Sequence, residues 1–388
     1  MLSLLSIRMI PKLKLGVVGL GRAFSMMLPT FTADPRVEIV AGADPRPEAR
    51  SKFKIDFGAQ VFDSVEKLCA EPAVQVVYIA TPHQFHASNT CVALSSGKHV
   101  LVEKPMALTL EECRAMIAAA RDAGVQLVVG HSHSFDAPIL QARKIIASGV
   151  LGRVRMISAL NYTDFLYRPR RPEELGTQRG GGVLFNQAVH QVDVVRMLAG
   201  SRVKSVRAFA GAWDPARPTE GAYSCQLNFE DGTFATLVYS GYAHFDSDEF
   251  TGWIGESGAK KHPSAYGTAR KLLHGDELTI KSQRTYGGAD FKEAAKAEAH
   301  QHFGLVIASC ERGDIRPLPS GVLVYGDTEV RTEPLPPPKV PRGEVIDELY
   351  DAIVNGKPPL HDGEWAMATM EVCLAMLRSS REGREVAL

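Results

Sequence analysis

The chain has 388 residues, 45% apolar and 23% charged, the profile of an ordinary soluble globular protein of two or three domains. Lysine plus arginine (44) balances aspartate plus glutamate (44), so the net charge is zero, which argues against a broad nucleic-acid or membrane-binding surface. Six scattered cysteines at 69, 91, 113, 225, 310 and 373 form no Cys-x-x-Cys pair, which argues against a disulfide framework or a zinc site.

Residues 1–10 are mildly apolar with one arginine. The stretch is too short for a transmembrane helix and lacks a small-residue cleavage site. Met9 reads as an alternative start, and the protein is expected to be cytoplasmic.

Residues 14–130 alternate short apolar runs with helical patterns. Strands are predicted at 14–18, 37–41, 74–80, 99–102 and 126–129, and helices at 23–32, 47–57, 84–95 and 110–123. The strand runs are Val-, Ile- and Leu-rich on both faces, as buried parallel strands must be. Thr109 and Glu112 make a capping box, and Gly124 stops the helix that they open. Strands alternating with helices imply right-handed βαβ units and a doubly wound parallel sheet.

After Gly130 the texture changes. A helix at 138–148 leads to strands at 154–162, 203–210, 222–229 and 233–240, with a hairpin turn at Glu230-Asp231-Gly232. This favours a largely antiparallel sheet with helices on one face. The Gly-, Lys- and His-rich stretch 255–301 reads as strands with a long excursion. A Pro-rich spacer at 334–341 precedes helices at 343–355 and 363–381. The fold class is α/β, with an N-terminal domain at 1–133 and a second domain at 134–388.

The chemistry concentrates between Gly19 and His190. Gly19-Leu20-Gly21 follows the first strand and opens a helix. The first glycine permits a tight turn, and the second admits a pyrophosphate to the helix N-terminus. Gly19, Gly21, Arg22, Ala23 and Phe24 are therefore candidate cofactor residues, although Phe24 stands where the fingerprint has a third glycine. Asp44 ends the second strand, placed for the adenosine ribose hydroxyls or as an N-cap, and favours NAD; nearby Arg46 keeps NADP open. Lys104 lies at the carboxyl end of a buried strand, where open α/β sheets bind ligands. There it is placed to take a hydroxyl proton while hydride leaves the adjacent carbon.

Together, Gly19-Leu20-Gly21, Ala80-Thr81-Pro82…His86, Glu103-Lys104-Pro105 and Gly180-Gly181-Gly182…His190…Asp193 resemble the Gfo/Idh/MocA family of oxidoreductases, from about residue 12 to the end. The resemblance implies an N-terminal Rossmann domain, a C-terminal α/β domain with a large open, mainly antiparallel sheet, and homodimers or homotetramers. It implies a dehydrogenase acting on CH–OH or CH–CH donors. Lys104 would be the catalytic lysine and His190 the general acid/base. Thr81, Pro82 and His86 would border the nicotinamide with Glu103 beside it, and the Lys104–Pro105 peptide is compatible with a cis form. Asn186 stands where the family often has aspartate, so proton transfer falls on Lys104 and His190. Asp193, one turn beyond, is placed to orient His190.

Arg168, Arg170 and Arg171, with Arg179 shortly after, suit a carboxylated ring, or else form a solvated basic loop. His131 and His133 follow the last strand of the first domain and should face the cleft, where they would contact substrate. No metal is expected, because no carboxylate or cysteine completes a site with them. The loop and the Asn186–Asp193 segment are similar to bacterial phthalate cis-4,5-dihydrodiol dehydrogenases. The best reading is hydride transfer to NAD(P) from an aromatic-ring cis-dihydrodiol carboxylate. The alternatives are a sugar or polyol dehydrogenase, a redox-neutral NAD-using lyase or glycosidase, and a non-catalytic dinucleotide sensor.

Overall fold

A six-stranded parallel sheet comes first in the computed structural model, which describes residues 11–388 except 243, 266, 274 and 294. The reading of residues 1–10 lies outside the described residues. The strands are β1 Leu13–Val18, β2 Val37–Ala43, β3 Gln60–Phe62, β4 Val76–Ile79, β5 His99–Val102 and β6 Leu127–Val129. Their order is β3-β2-β1-β4-β5-β6, a doubly wound sheet whose order reverses between β1 and β4. The helices are α1 Arg22–Ala33, α2 Pro47–Phe57, α3 Val65–Cys69, α4 His86–Ser95 and α5 Leu110–Ala123. The Thr109–Glu112 capping box forms as predicted, and Gly124 ends α5 in the left-handed region. Sequence reading missed β3 and α3, which at three and five residues are too short to show a period.

The second domain opens with α6 Ala137–Ala147 and β7 Val154–Tyr162. A π-turn at Leu184–Ala188 runs into α7 Val189–Ala199. Strands β8 Val203–Gly211, β9 Ala222–Phe229 and β10 Phe234–Ser240 follow. The stretch predicted as strands, 255–301, instead folds around two short helices, α8 Thr268–Lys271 and α9 Glu277–Arg284. Its polar, glycine-broken sequence has no alternating apolar face to bury on a sheet. The missing strands lie later, in a meander of β11 Leu305–Cys310, β12 Gly313–Leu318, β13 Gly321–Tyr325 and β14 Val330–Pro334. The chain closes with α10 Gly343–Val354, α11 Gly363–Glu382 and β15 Val386–Ala387.

The nine-stranded sheet runs β14-β13-β12-β11-β7-β10-β9-β8-β15, antiparallel except where β10 pairs with β7. Helices α6, α7 and α11 bury one face, while Met156, Phe209 and Phe234 stand exposed on the strands. Helix α10 belongs to the first sheet in space. Its Val345, Ile346 and Leu349 pack with Phe24, Met27 and Phe31 of α1 and Tyr78 of β4. The hydroxyl of Thr30 donates to Pro341 O at 2.6 Å at its start. The second half of the chain thus returns across the first domain. No helix among the described residues is long and apolar enough to cross a membrane.

Candidate active site

Gly19 has φ +92°, and a Cβ there would stand 2.7 Å from the Ala80 backbone, so only glycine fits the turn. Gly21 caps α1 without any side-chain bond, and a Cβ on it would meet nothing within 4 Å. Open space therefore faces free helix N–H groups, which fits the pyrophosphate of a dinucleotide. Asp44 holds this turn: its carboxylate accepts from Leu20 N (2.8 Å) and from Arg46 N and Nε (both 2.9 Å). That corrects one expectation: Asp44 is not the α2 N-cap, a place taken by Arg46. Phe24 is also corrected. Its ring is fully buried, 5.7 Å from Phe53 and 5.1 Å from Tyr286, so its side chain packs α1 instead of meeting a cofactor.

Lys104 stands just beyond β5, and its Nζ donates to Asn186 O at 3.0 Å. Burial pulls its pKa down to about 8, against the opposing pull of Glu103. The Glu103 carboxyl is buried, is pushed up by that burial, and accepts from Tyr78 Oη at 2.6 Å. The Lys104–Pro105 peptide is cis. His86, expected at the cofactor, is 1% exposed with its ring nitrogens on Thr81 O (2.9 Å) and Pro105 O (2.7 Å). It ties together the loops after β4 and β5 and is a positioning residue. Thr81 and Pro82 remain half-buried beside it.

The glycine run shapes the opposite wall. Gly180 and Gly182 take φ +81° and +76°, and their carbonyls accept both amide protons of Asn186 (3.3 and 2.8 Å). Asn186 therefore pins the loop with its amide nitrogen and gives its main-chain oxygen to Lys104. His190, one residue into α7, is 7% exposed, and its Nδ1 is buried without a hydrogen-bond partner. Burial and the neighbouring Lys104 charge hold its imidazole far below the ordinary range, so it is neutral. Asp193 does not orient it. That carboxylate accepts from Trp365 Nε1 (2.5 Å), Thr369 Oγ1 (2.8 Å) and Ser134 Oγ, and so ties α7 to α11. Residues three apart share a helix face, so the spacing alone did not exclude the contact; the donors from α11 and Ser134 take the carboxylate instead.

His131 and His133 do reach this region, and they bring a carboxylate that the sequence reading did not supply. His131 Nε2 donates to Asp136 Oδ1 at 3.0 Å, and His133 Nδ1 donates to Asp136 Oδ2 at 2.7 Å. The three ligand atoms lie within 4.8 Å of one another, so the premise that no acid joins these histidines is corrected; here both oxygens are taken by imidazole N–H groups. His133 meets His190 edge-on at 4.7 Å, and both rings lie 5.1 Å from Phe303.

The arginine loop is mostly self-neutralised. Arg171 pairs with Glu173 (2.8 Å) and Glu174 (3.5 Å). Arg170 stacks 3.7 Å over Phe165 and donates to Phe165 O at 2.5 Å. Burial alone would raise Glu174, yet Lys281, Arg170 and Arg171 hold it at about 2. Arg179 is exposed. Arg168 remains near the cleft, bound to Asp164 at 3.1 Å and 3.8 Å from Glu256. Its charge, with that of Arg342, acts on the Arg22 guanidinium, which stands exposed at the cofactor turn. Arg342, held at φ +54° just before α10, also acts on Lys104, Glu103, His131, His133 and His190. Sequence reading missed Asp136, Glu256, Phe303 and Arg342. Only Asp136, three residues after His133, left a local signal.

Residues 13–131 match the oxidoreductase family with the NAD-binding Rossmann fold, and residues 139–259 match the GFO/IDH/MocA C-terminal domain. The chain belongs to the Gfo/Idh/MocA family of oxidoreductases. It is 51% identical over 377 residues, 95% of each chain, to the 1-carboxy-3-chloro-3,4-dihydroxycyclohexa-1,5-diene dehydrogenase of Comamonas testosteroni. The crystal structure of a dehydrogenase from Bordetella bronchiseptica superposes with a TM-score of 0.92 at 44% identity, covering 97% of this chain and 100% of that one. An aldose-aldose oxidoreductase from Caulobacter crescentus gives 0.74 at 25% identity, covering 97% and 100%. The protein is thus an NAD-dependent dehydrogenase acting on CH–OH groups.

Proposed function

We propose that this family member oxidises the cis-dihydrodiol of an aromatic carboxylate, leaving a dihydroxybenzoate-type product. The observation that carries the reading is the pairing of a buried, easily deprotonated Lys104 with a neutral His190 beneath a cationic rim of Arg22, Arg168 and Arg342. The similarity to the Comamonas dehydrogenase supports it. NAD, when bound, supplies the hydride acceptor. Lys104 Nζ, once neutral, takes the hydroxyl proton of the carbon being oxidised. His190 is the second group able to accept that proton. Thr81, Pro82 and Glu103 border the ring side, and Asn186 keeps the glycine wall closed over Lys104. Guanidiniums bind carboxylates well, and Arg342, whose Nε donates to the Gln301 amide oxygen at 3.1 Å, makes no ion pair among the described residues. Six unpaired cysteines support a cytoplasmic setting, and the exposed Met156, Phe209 and Phe234 support a homo-oligomer built on the large sheet.

The test is NAD reduction with purified protein. The panel is a benzoate-type cis-dihydrodiol, phthalate cis-4,5-dihydrodiol, an uncarboxylated cis-dihydrodiol, inositol and glucose. Rapid reduction with carboxylated diols alone is expected, and the two acids decide between mono- and dicarboxylate. Turnover of inositol or glucose, with none of the diols, overturns the substrate class in favour of a polyol dehydrogenase.

A further inference from the structure

Hydride transfer through Lys104 and His190 makes no use of His133 or Asp136, yet both are built with care. Asp136 is the N-cap of α6 but makes no cap bond to the helix amides. An N-cap aspartate that forgoes its cap gives up helix stability. Its carboxylate, 4% exposed, turns instead to His131 Nε2 at 3.0 Å and His133 Nδ1 at 2.7 Å.

The consequence is a fixed tautomer. A carboxylate only accepts, so the proton of neutral His133 sits on Nδ1 and its Nε2 keeps a lone pair. That nitrogen lies across the ring from Asp136. The His133 ring is edge-on to His190, with centroids 4.7 Å apart and planes at 67°. Phe303 backs both rings at 5.1 Å. The contact with His190 sets His133 beside the proposed reaction site. The site therefore presents two neutral imidazoles side by side, one held by a buried carboxylate and one with a free buried nitrogen.

We propose that His133, held as a hydrogen-bond acceptor by Asp136, receives the second hydroxyl of a vicinal diol, the one that is not oxidised. The inference rests on the proposed function and deepens it: Lys104 and His190 face the reacting hydroxyl, and His133 reads its neighbour. No proton leaves the second hydroxyl; it donates a hydrogen bond to Nε2. A ligand lacking that hydroxyl leaves a buried lone pair unpaired. A site built to bond a hydroxyl rejects the analogue without it more strongly than an apolar pocket rejects a missing methylene.

The test uses stable product-type ligands on the NADH-loaded full chain, with affinity read by calorimetry. The probes are 3,4-dihydroxybenzoate, 3-hydroxybenzoate and 4-hydroxybenzoate. Wild type is expected to prefer the dihydroxy acid over each monohydroxy isomer by about tenfold or more. His133→Ala is expected to erase the preference over one isomer only, the one lacking the hydroxyl that His133 receives, and to leave the other preference and NADH affinity unchanged. His133→Gln, which carries an amide oxygen near the Nε2 position, is expected to restore part of the lost preference. Asp136→Asn, which cannot accept from both rings, is expected to weaken it. An equal loss across all three ligands in His133→Ala, or an unchanged pattern, overturns the proposal, as does a wild type indifferent to the second hydroxyl. If wild type shows the preference but oxidises no cis-dihydrodiol, the functional reading fails while the recognition of adjacent hydroxyls stands.

Discussion

Lys104 owes its chemistry to its address. It follows an apolar strand, so its ammonium is desolvated, and burial brings its pKa to about 8. Only the neutral amine can take a proton, so alcohol oxidation should rise about tenfold per pH unit below that value and level off above it. The reverse reduction needs the ammonium, so it should stay level below that value and fall about tenfold per pH unit above it. Initial rates in both directions between pH 6 and 10 check the sign. Lys104→Ala should lower turnover by about two to four orders of magnitude while leaving NAD affinity nearly unchanged, because the turn at Gly19–Gly21 does not depend on it. Normal turnover in that variant removes Lys104 from the mechanism. Asp44 acts differently, through the Leu20 N–H and Arg46 that it holds. Asp44→Ala should loosen the phosphate turn and weaken NAD binding about tenfold, with turnover at saturating NAD preserved. Calorimetry and steady-state rates separate the two effects.

At the scale of elements, the decisive piece is the glycine run with the π-turn that follows it. Gly182 takes φ +76°, and a Cβ there would clash with the Glu220 carboxylate and the Thr219 hydroxyl. Gly182→Ala should therefore displace Asn186 and His190 together, cutting turnover at least about tenfold and lowering the melting temperature by several degrees. An assay and a thermal melt on the same preparation check this; a fully active variant sinks it. The loop's glycines and the histidine were visible in the sequence. The π-turn at Leu184–Ala188 was not, because an apolar helical run looks the same whether its bonds close at four residues or at five. The arginine loop misled for another reason. Its charges looked available, yet Glu173 and Glu174, two and three residues after Arg171, close back on it. That acidic pair was legible, and local pairing outweighs a distant ligand when the partners are already adjacent.

The whole molecule is held together by the return of the chain. Helix α10 comes late in the sequence but packs on the first sheet, and Leu349 within it is 1% exposed. Leu349→Ala should cost about 2–5 kcal/mol of stability, read by urea denaturation, and should reduce activity through Arg342 at the helix start. The sequence by itself determined the doubly wound sheet, the dinucleotide turn, Lys104 and His190, and the family to which they belong. Those features are local: a period, a glycine, a strand end. Tertiary structure alone decided that Asp193 serves α11, that Asp44 is engaged by Arg46, that Phe24 belongs to the core, and that Asp136 fixes His133. A side chain's partners are set by which segments fold against it and which way its helix turns it. Neither is written in the residues next to it.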